Sequence, residues 1–125
     1  MTTWTDDQLD RVGAADELTI QPARADGTLR NPTPIWVVRD GDDLYVRSYK
    51  GDGSAWYRAA AARPQGHVSA GGVDADVTFA VVPDTDVNDR VDAAYRTKYQ
   101  RYGAAYVDPM VAPTARAATL RLLPR

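Results

Sequence analysis

The feature that most constrains this chain is the shortness of the links between its apolar runs. Glu17-Leu18-Thr19-Ile20-Gln21 alternates polar and apolar residues, the period of a half-buried strand. Arg24-Ala25-Asp26-Gly27 follows, and Asp-Gly is a strong hairpin signal because glycine accepts the positive φ of a tight turn. The return strand starts at Thr28-Leu29-Arg30, pauses at Asn31-Pro32-Thr33-Pro34 and continues from Ile35 to Arg39. Two prolines cannot sit inside a ladder, so this strand has an edge or a kink there. Asp40-Gly41 turns the chain into Leu44 to Ser48; later His67 to Ala70, Gly71-Gly72 and Val73 to Val82 form another hairpin, and Ala118 to Leu123 reads as a last strand. Parallel neighbours need a crossover of a dozen or more residues, which almost none of these links provides. The order therefore predicts a mainly β protein with helices (α+β), six antiparallel strands closed or half-closed into a small barrel. A barrel this small fills with its own side chains, so a ligand belongs in an outside groove or at a subunit interface.

Helices interrupt the strands at few places. Thr5-Asp6-Asp7-Gln8 matches a capping box and predicts a helix over about 5–13 that closes near Gly13. Lys50-Gly51-Asp52-Gly53-Ser54 empties into an alanine-rich helix over about 55–63, stopped by Pro64. Val87, Val91, Ala94, Tyr95 and Lys98 recur at helical spacing, with acid before them and base after, predicting a helix over 86–101. Tyr102 to Pro113 reads as irregular. With 125 residues there is room for one core, so 1–125 is expected to be a single domain.

Charge and composition narrow the partners. A net charge of -2 argues against a nucleic-acid surface over the whole molecule. Apolar runs such as Ile35-Trp36-Val37-Val38 fall far short of the ~20 residues of a spanning helix, so no membrane segment is expected. There is no cysteine and no apolar leader, which points to an intracellular, cytoplasmic protein. The sole histidine, His67, cannot build a transition-metal site by itself, and no metal is expected. Residues 1–20 and 67–94 are acidic, whereas 95–125 carry Arg96, Lys98, Arg101, Arg116, Arg121 and Arg125 against Asp108. An anionic ligand would accordingly dock against the middle or the C-terminal end.

The loop-to-helix join at 50–57 carries the most chemistry. Amides freed by Gly51 and Gly53 and aimed by a helix N-terminus suit an anionic or electron-rich ligand; a plain turn with Ser54 as cap fits equally well. Arg24 and Arg30 are either solvated hairpin residues or phosphate ligands. Trp56 and Tyr57 open an apolar helix, where aromatic rings pack a core or stack on a ligand. Tyr95, Tyr99, Tyr102 and Tyr106 form a stripe suited to core or interface packing, or, with Met110, a lid. No Ser/His/Asp set, phosphate-binding loop of the nucleotide-hydrolase type or paired carboxylates can be read.

At Arg24-Ala25-Asp26-Gly27-Thr28-Leu29-Arg30, at Pro34-Ile35-Trp36-Val37 and at Leu44-Tyr45-Val46-Arg47-Ser48 through Gly51-Asp52-Gly53-Ser54-Ala55-Trp56-Tyr57-Arg58, the chain resembles the FMN/deazaflavin-binding split-barrel superfamily, notably the deazaflavin-dependent nitroreductases. Over its full length it is similar to a bacterial family, domain of unknown function 2255. The ordered resemblance covers about residues 17–82, with a weaker match at the last strand. It implies a six-stranded antiparallel split β-barrel of flavin-binding type, a homodimer, and a deazaflavin (coenzyme F420) or FMN that reduces a small electrophile such as a quinone, enone or nitro compound. It further implies that Arg24 and Arg30 lie near the cofactor phosphate. Arg47, Ser48, Lys50, Gly51, Gly53 and Ser54 would approach the ring, Trp56 and Tyr57 would wall the site, and Tyr102 or Tyr106 would donate a proton. The relatives usually carry a Gly-Arg-Lys-Ser-Gly turn where this chain has Arg24-Ala25-Asp26-Gly27. Two other readings stay open: a non-catalytic small-ligand-binding split barrel that has lost the cofactor, and a structural dimer without ligand.

Overall fold

The computed structural model describes residues 3–125. In chain order they form α1 (Asp6–Ala14), β1 (Leu18–Pro22), β2 (Thr33–Ile35), β3 (Val37–Asp40), β4 (Asp43–Arg47), α2 (Ala55–Ala62), β5 (Gln65–Ala70), β6 (Val73–Val81), α3 (Thr85–Tyr99), α4 (Ala104–Val111), α5 (Pro113–Arg116) and β7 (Thr119–Pro124). The seven strands make one sheet in the order β2-β1-β5-β6-β7-β4-β3, with every pairing antiparallel.

The described residues form seven strands rather than six because the expected strand after the prolines is cut at Trp36. Upstream of the cut Ile35 pairs with Leu18 of β1, and downstream Val37 pairs with Val46 of β4. β2 and β3 are thus opposite ends of the sheet separated by one residue, which bends the sheet round into a nearly closed barrel split at Trp36. Thr28-Leu29-Arg30 is not a strand; Leu29 makes one isolated bridge to Ala23. The Asp26 carboxylate instead takes the Thr28 amide (3.0 Å) and hydroxyl (2.6 Å), so the turn is tied to itself.

Leu18, Ile20, Val46, Val77, Leu120 and Leu122 fill the barrel, α1 covers it with Leu9 and Val12, and α2 adds Tyr57 and Ala60. The Trp4 indole donates to the Leu122 carbonyl at 2.9 Å in the same core. The capping box of α1 is present, with Thr5 Oγ1 accepting from the Gln8 amide at 3.1 Å and Gln8 Oε1 from the Thr5 amide at 2.9 Å. A second cluster joins Val38 and Tyr45 of the sheet to Val91, Tyr95 and Tyr99 of α3 and Val107 and Met110 of α4. The stretch from Tyr102 to Pro113, expected to be irregular, is largely helical. A short 3-10 turn runs to Tyr102, and Gly103 (φ +89°) redirects the chain into α4. Pro109 lies inside α4, and a proline followed by another at Pro113 hides the helical period in sequence. Among the described residues no helix is long and apolar enough to cross a membrane.

Tyr95 in this cluster and the half-buried Lys98 beside it on α3 give measurable consequences. Among the described residues the buried Tyr95 hydroxyl has no hydrogen-bond partner within normal distance and angle, and burial pushes its pKa up. Tyr95→Phe removes an unpaired polar atom and is expected to raise stability by about 1 kcal/mol in urea unfolding. The Lys98 ammonium donates to the Val37 carbonyl at 2.6 Å, and burial brings its pKa down from 10.5 to about 8. Between those two values the unfolded chain holds more protons than the folded one, so stability is expected to rise with pH across that window. Lys98→Met should flatten that rise in unfolding curves measured on either side of it.

Candidate functional site

The split in the barrel opens into a cleft of about 770 Å³. Thr33, Ile35 and Trp36 form one wall; Ser48, Tyr49, Lys50, Gly53, Ser54 and Trp56 form the second; Tyr106, Pro109 and Met110 of α4 form the third, with Glu17 contributing a carboxylate. The second wall owes its shape to glycine. Gly51 has φ +61°, and a Cβ there would stand 2.9 Å from Thr114 Cγ2, so both backbone and packing demand its absence. Gly53 is different: its φ is ordinary and a Cβ would meet only Lys50 Cβ at 3.5 Å. Neither strain nor crowding requires glycine at 53, and its effect is to leave bare backbone on the cleft.

The serines are wired to the loop. Ser48 Oγ lies 2.7 Å from the Gly51 carbonyl and 2.7 Å from Ser54 Oγ; having one proton, it donates to the carbonyl and accepts from Ser54. Ser54 does not cap α2, and among the described residues the first turn of that helix has no side-chain cap. Ala55 and Trp56, which begin that turn, line the cleft. Indole walls, bare glycine backbone, uncapped amides and the Lys50 ammonium together fit a flat, electron-poor ring with an anionic tail.

Of the residues expected at the site, Arg47, Ser48, Lys50, Gly53, Ser54, Trp56 and Tyr106 line this cleft, whereas Arg24, Arg30, Gly51, Tyr57 and Tyr102 are not among its lining. Arg24 folds back on its own turn, donating to the Leu29 carbonyl at 2.6 Å, and Arg30 is exposed on the same turn. Gly51 shapes the loop from behind, and Tyr57 belongs to the barrel core. The Tyr102 hydroxyl donates to the Asp16 carboxylate, which Arg101 also grips; that phenol hydrogen bond is the first reason the Asp16 pKa is lowered.

Arg47 lines the cleft, yet its guanidinium is fully engaged within the protein. Nε donates to Thr119 Oγ1 (2.8 Å), Nη1 to Asp92 Oδ1 (2.5 Å) and the Met110 carbonyl (3.0 Å), and Nη2 to the Asn88 carbonyl (3.1 Å) and Oδ1 (2.9 Å). All five N–H donors are used, so none is left for a ligand phosphate. The side chain instead ties β4 to α3, α4 and β7. Asp92 is held from its other oxygen by Arg116 at 2.5 Å.

Trp36, Tyr49, Glu17 and Pro109 line the cleft without having been singled out from sequence. A signal existed for Trp36, an aromatic residue directly after a double-proline interruption of a strand. For the partners of Arg47 there was none, since Asn88, Asp92 and Thr119 are remote in the chain. A second groove of about 600 Å³ lies between α1, β3 and α3, contains none of the expected site residues, and carries the ion pairs Arg39–Asp10 (2.7 Å) and Arg90–Asp40 (2.9 Å). The His67 ring bridges Asp76 (3.0 Å) and Asp74 (3.3 Å) on the β5–β6 hairpin, and the Asp76 contact raises its pKa.

Residues 8–122 match a family described as an uncharacterized protein conserved in bacteria, DUF2255. The chain belongs to that family. No curated protein matches it. Among solved structures, the heme storage protein HutZ from Vibrio cholerae is 12% identical, covering 99% of this chain and 92% of that one with a TM-score of 0.65. An FAD-binding protein from Mesorhizobium loti is 19% identical (99% and 92% covered, TM-score 0.56). An F420 reductase is 20% identical (93% and 90% covered, TM-score 0.55). At these identities the likeness is one of fold: this DUF2255 chain is a split barrel.

Proposed function

We propose that the cleft binds a flavin-type cofactor, a deazaflavin first and FMN second, and that the protein reduces a small electrophile such as a quinone, enone or nitro compound. The observation that carries this reading is the aromatic cleft at the split, with Trp36 and Trp56 in its walls beside the bare Gly53 backbone and the uncapped start of α2. Indole faces bury a flat ring, and backbone amides suit its electron-rich edge. Lys50 is the lining cation for an anionic tail. When bound, the cofactor supplies the hydride, and the chain orients ring and substrate and keeps water out. Tyr106 lines the cleft and is the candidate proton donor, whereas the Tyr102 proton is directed to Asp16.

A homodimer belongs to the same reading. Tyr49 and Tyr106 are 55% and 66% exposed at the cleft, apolar surface that a second copy would cover, and sedimentation should then give twice the chain mass.

The alternative, a small-ligand module without redox chemistry, draws its support from Arg47, whose donors are all engaged, and from Arg24, which is tied to its own turn. Titration separates the two. The protein, purified from a deazaflavin-producing host, is stripped and titrated with F420, FMN and riboflavin, then assayed for hydride transfer to a quinone. Saturable micromolar binding with transfer supports the reductase; ring binding without transfer supports the module; no binding of any of the three retires the cleft as a flavin site. If the hairpin arginines grip phosphate in a dimer, Arg24→Ala with Arg30→Ala weakens FMN but not riboflavin.

A further inference from the structure

We infer that Trp36 and Tyr102, packed together against Tyr99, form a one-electron relay that carries an oxidising equivalent from the cleft to the surface and leaves it on Tyr102, with Asp16 as the proton acceptor. Trp36 lines the cleft. Its indole is stacked on Tyr99 with ring centroids 3.9 Å apart and planes within 1°, and Tyr102 lies 5.4 Å from Trp36 and 6.1 Å from Tyr99. These separations place the three rings in one contiguous π-contact from cleft to surface. Tyr102 is 39% exposed, so the path ends at solvent.

The proton decides where the oxidising equivalent rests. An oxidised phenol must lose its proton, so a tyrosine beside a carboxylate is a better terminus than one whose hydroxyl faces only backbone. The Tyr99 hydroxyl donates toward the carbonyls of Asp16 (2.8 Å) and Val37 (3.0 Å), neither of which can take a proton. Among the described residues Tyr95, 6.0 Å beyond Tyr99, has no carboxylate or other proton acceptor hydrogen-bonded to its hydroxyl. Tyr102 alone among these tyrosines donates to a carboxylate, that of Asp16. The neighbouring cations point the same way. Lys98 stands 5.0 Å over the Tyr99 ring and opposes positive charge there. Arg101 stands 4.7 Å over Tyr102, where loss of the proton leaves a neutral radical that the guanidinium does not oppose.

The step balances. Trp36 would give one electron to a one-electron oxidant held in the cleft, a role whose chemistry a photoexcited oxidised flavin would supply, and that oxidant would gain the electron Trp36 loses. Tyr102 then passes an electron to Trp36 and its phenolic proton to Asp16, so that Trp36 is restored, Asp16 becomes a neutral acid and Tyr102 a neutral radical. Only the identity of that oxidant rests on the flavin reading; the relay itself is a property of the rings.

A ruthenium tris-bipyridine photo-oxidant with persulfate tests the relay without any cofactor, using transient absorption and spin-trap mapping of the full chain. The wild type is expected to end with its radical on Tyr102. Trp36→Phe, which keeps a ring on Tyr99, should lower the Tyr102 adduct about tenfold. Asp16→Asn should prolong the Trp36 radical by about tenfold or more, because the proton acceptor is gone. Tyr102→Phe should abolish the tyrosyl signal and leave the tryptophan radical. Circular dichroism confirms that each variant is folded, and if Trp36→Phe does not fold, Asp16→Asn decides alone. Unchanged Tyr102 labelling in Trp36→Phe, an unchanged tryptophan radical lifetime in Asp16→Asn, or wild-type labelling mainly at Tyr49 or Tyr106 overturns the relay. A failed flavin titration with these effects intact rejects the cofactor and leaves the relay standing.

Discussion

Arg47→Met is expected to lower stability by about 3–5 kcal/mol, a large share of the roughly 5–15 kcal/mol that holds a domain folded. The guanidinium has no exposed surface, and the substitution strips one partner from the Asp92 carboxylate, from two oxygens of Asn88, from Thr119 and from the Met110 carbonyl at once. Arg47→Lys should recover little, because an ammonium has three donors where five are used. The cleft should suffer with the core. Met110 belongs to the wall that α4 supplies, and the neighbouring Ser48 anchors the glycine loop, so the flavin binding proposed for this cleft should weaken in any variant that remains folded. Urea unfolding measures the first effect; a loss below about 1 kcal/mol would mean that the network contributes little.

Trp36→Ala is expected to cost about 2–3 kcal/mol of stability and to weaken the proposed binding of a flavin ring about tenfold or more. The residue stands where one strand becomes two, so its indole does two jobs. One face rests on Tyr99, whose hydroxyl accepts from the Val37 amide at 3.1 Å and so holds the backbone just after the break. The side chain also lines the cleft. Trp36→Phe should retain most of the stability and lose part of the affinity, which separates the two jobs in paired unfolding and titration experiments.

The fold was legible to the extent that it rests on local rules. The capping box at Thr5 and Gln8, the Asp40-Gly41 and Gly71-Gly72 turns and the β5–β6 hairpin all follow from short-range chemistry, and each is present. Trp36 is where local reading stops. The prolines announced an interruption, but that the two halves would pair with opposite edges of the sheet depends on closure of the barrel, which no short window contains. The helix α4 was missed because Pro109 breaks its period. At the site, the glycine loop and Trp56 could be chosen from composition and order alone. Arg47 entered only through what the family resemblance implies, and its engagement with Asn88, Asp92 and Thr119 is a product of tertiary packing. The same holds for Arg24, whose capture by the Leu29 carbonyl depends on the Asp26-tied turn.

The most direct test of the cleft as a flavin-type site is a crystal structure of the protein soaked with FMN. The account predicts ring density beside Trp36 and Trp56, over the Gly53 backbone, with the phosphate toward Lys50. Ring density in the groove between α1 and α3, with the space beside Trp36 left to solvent, would contradict it.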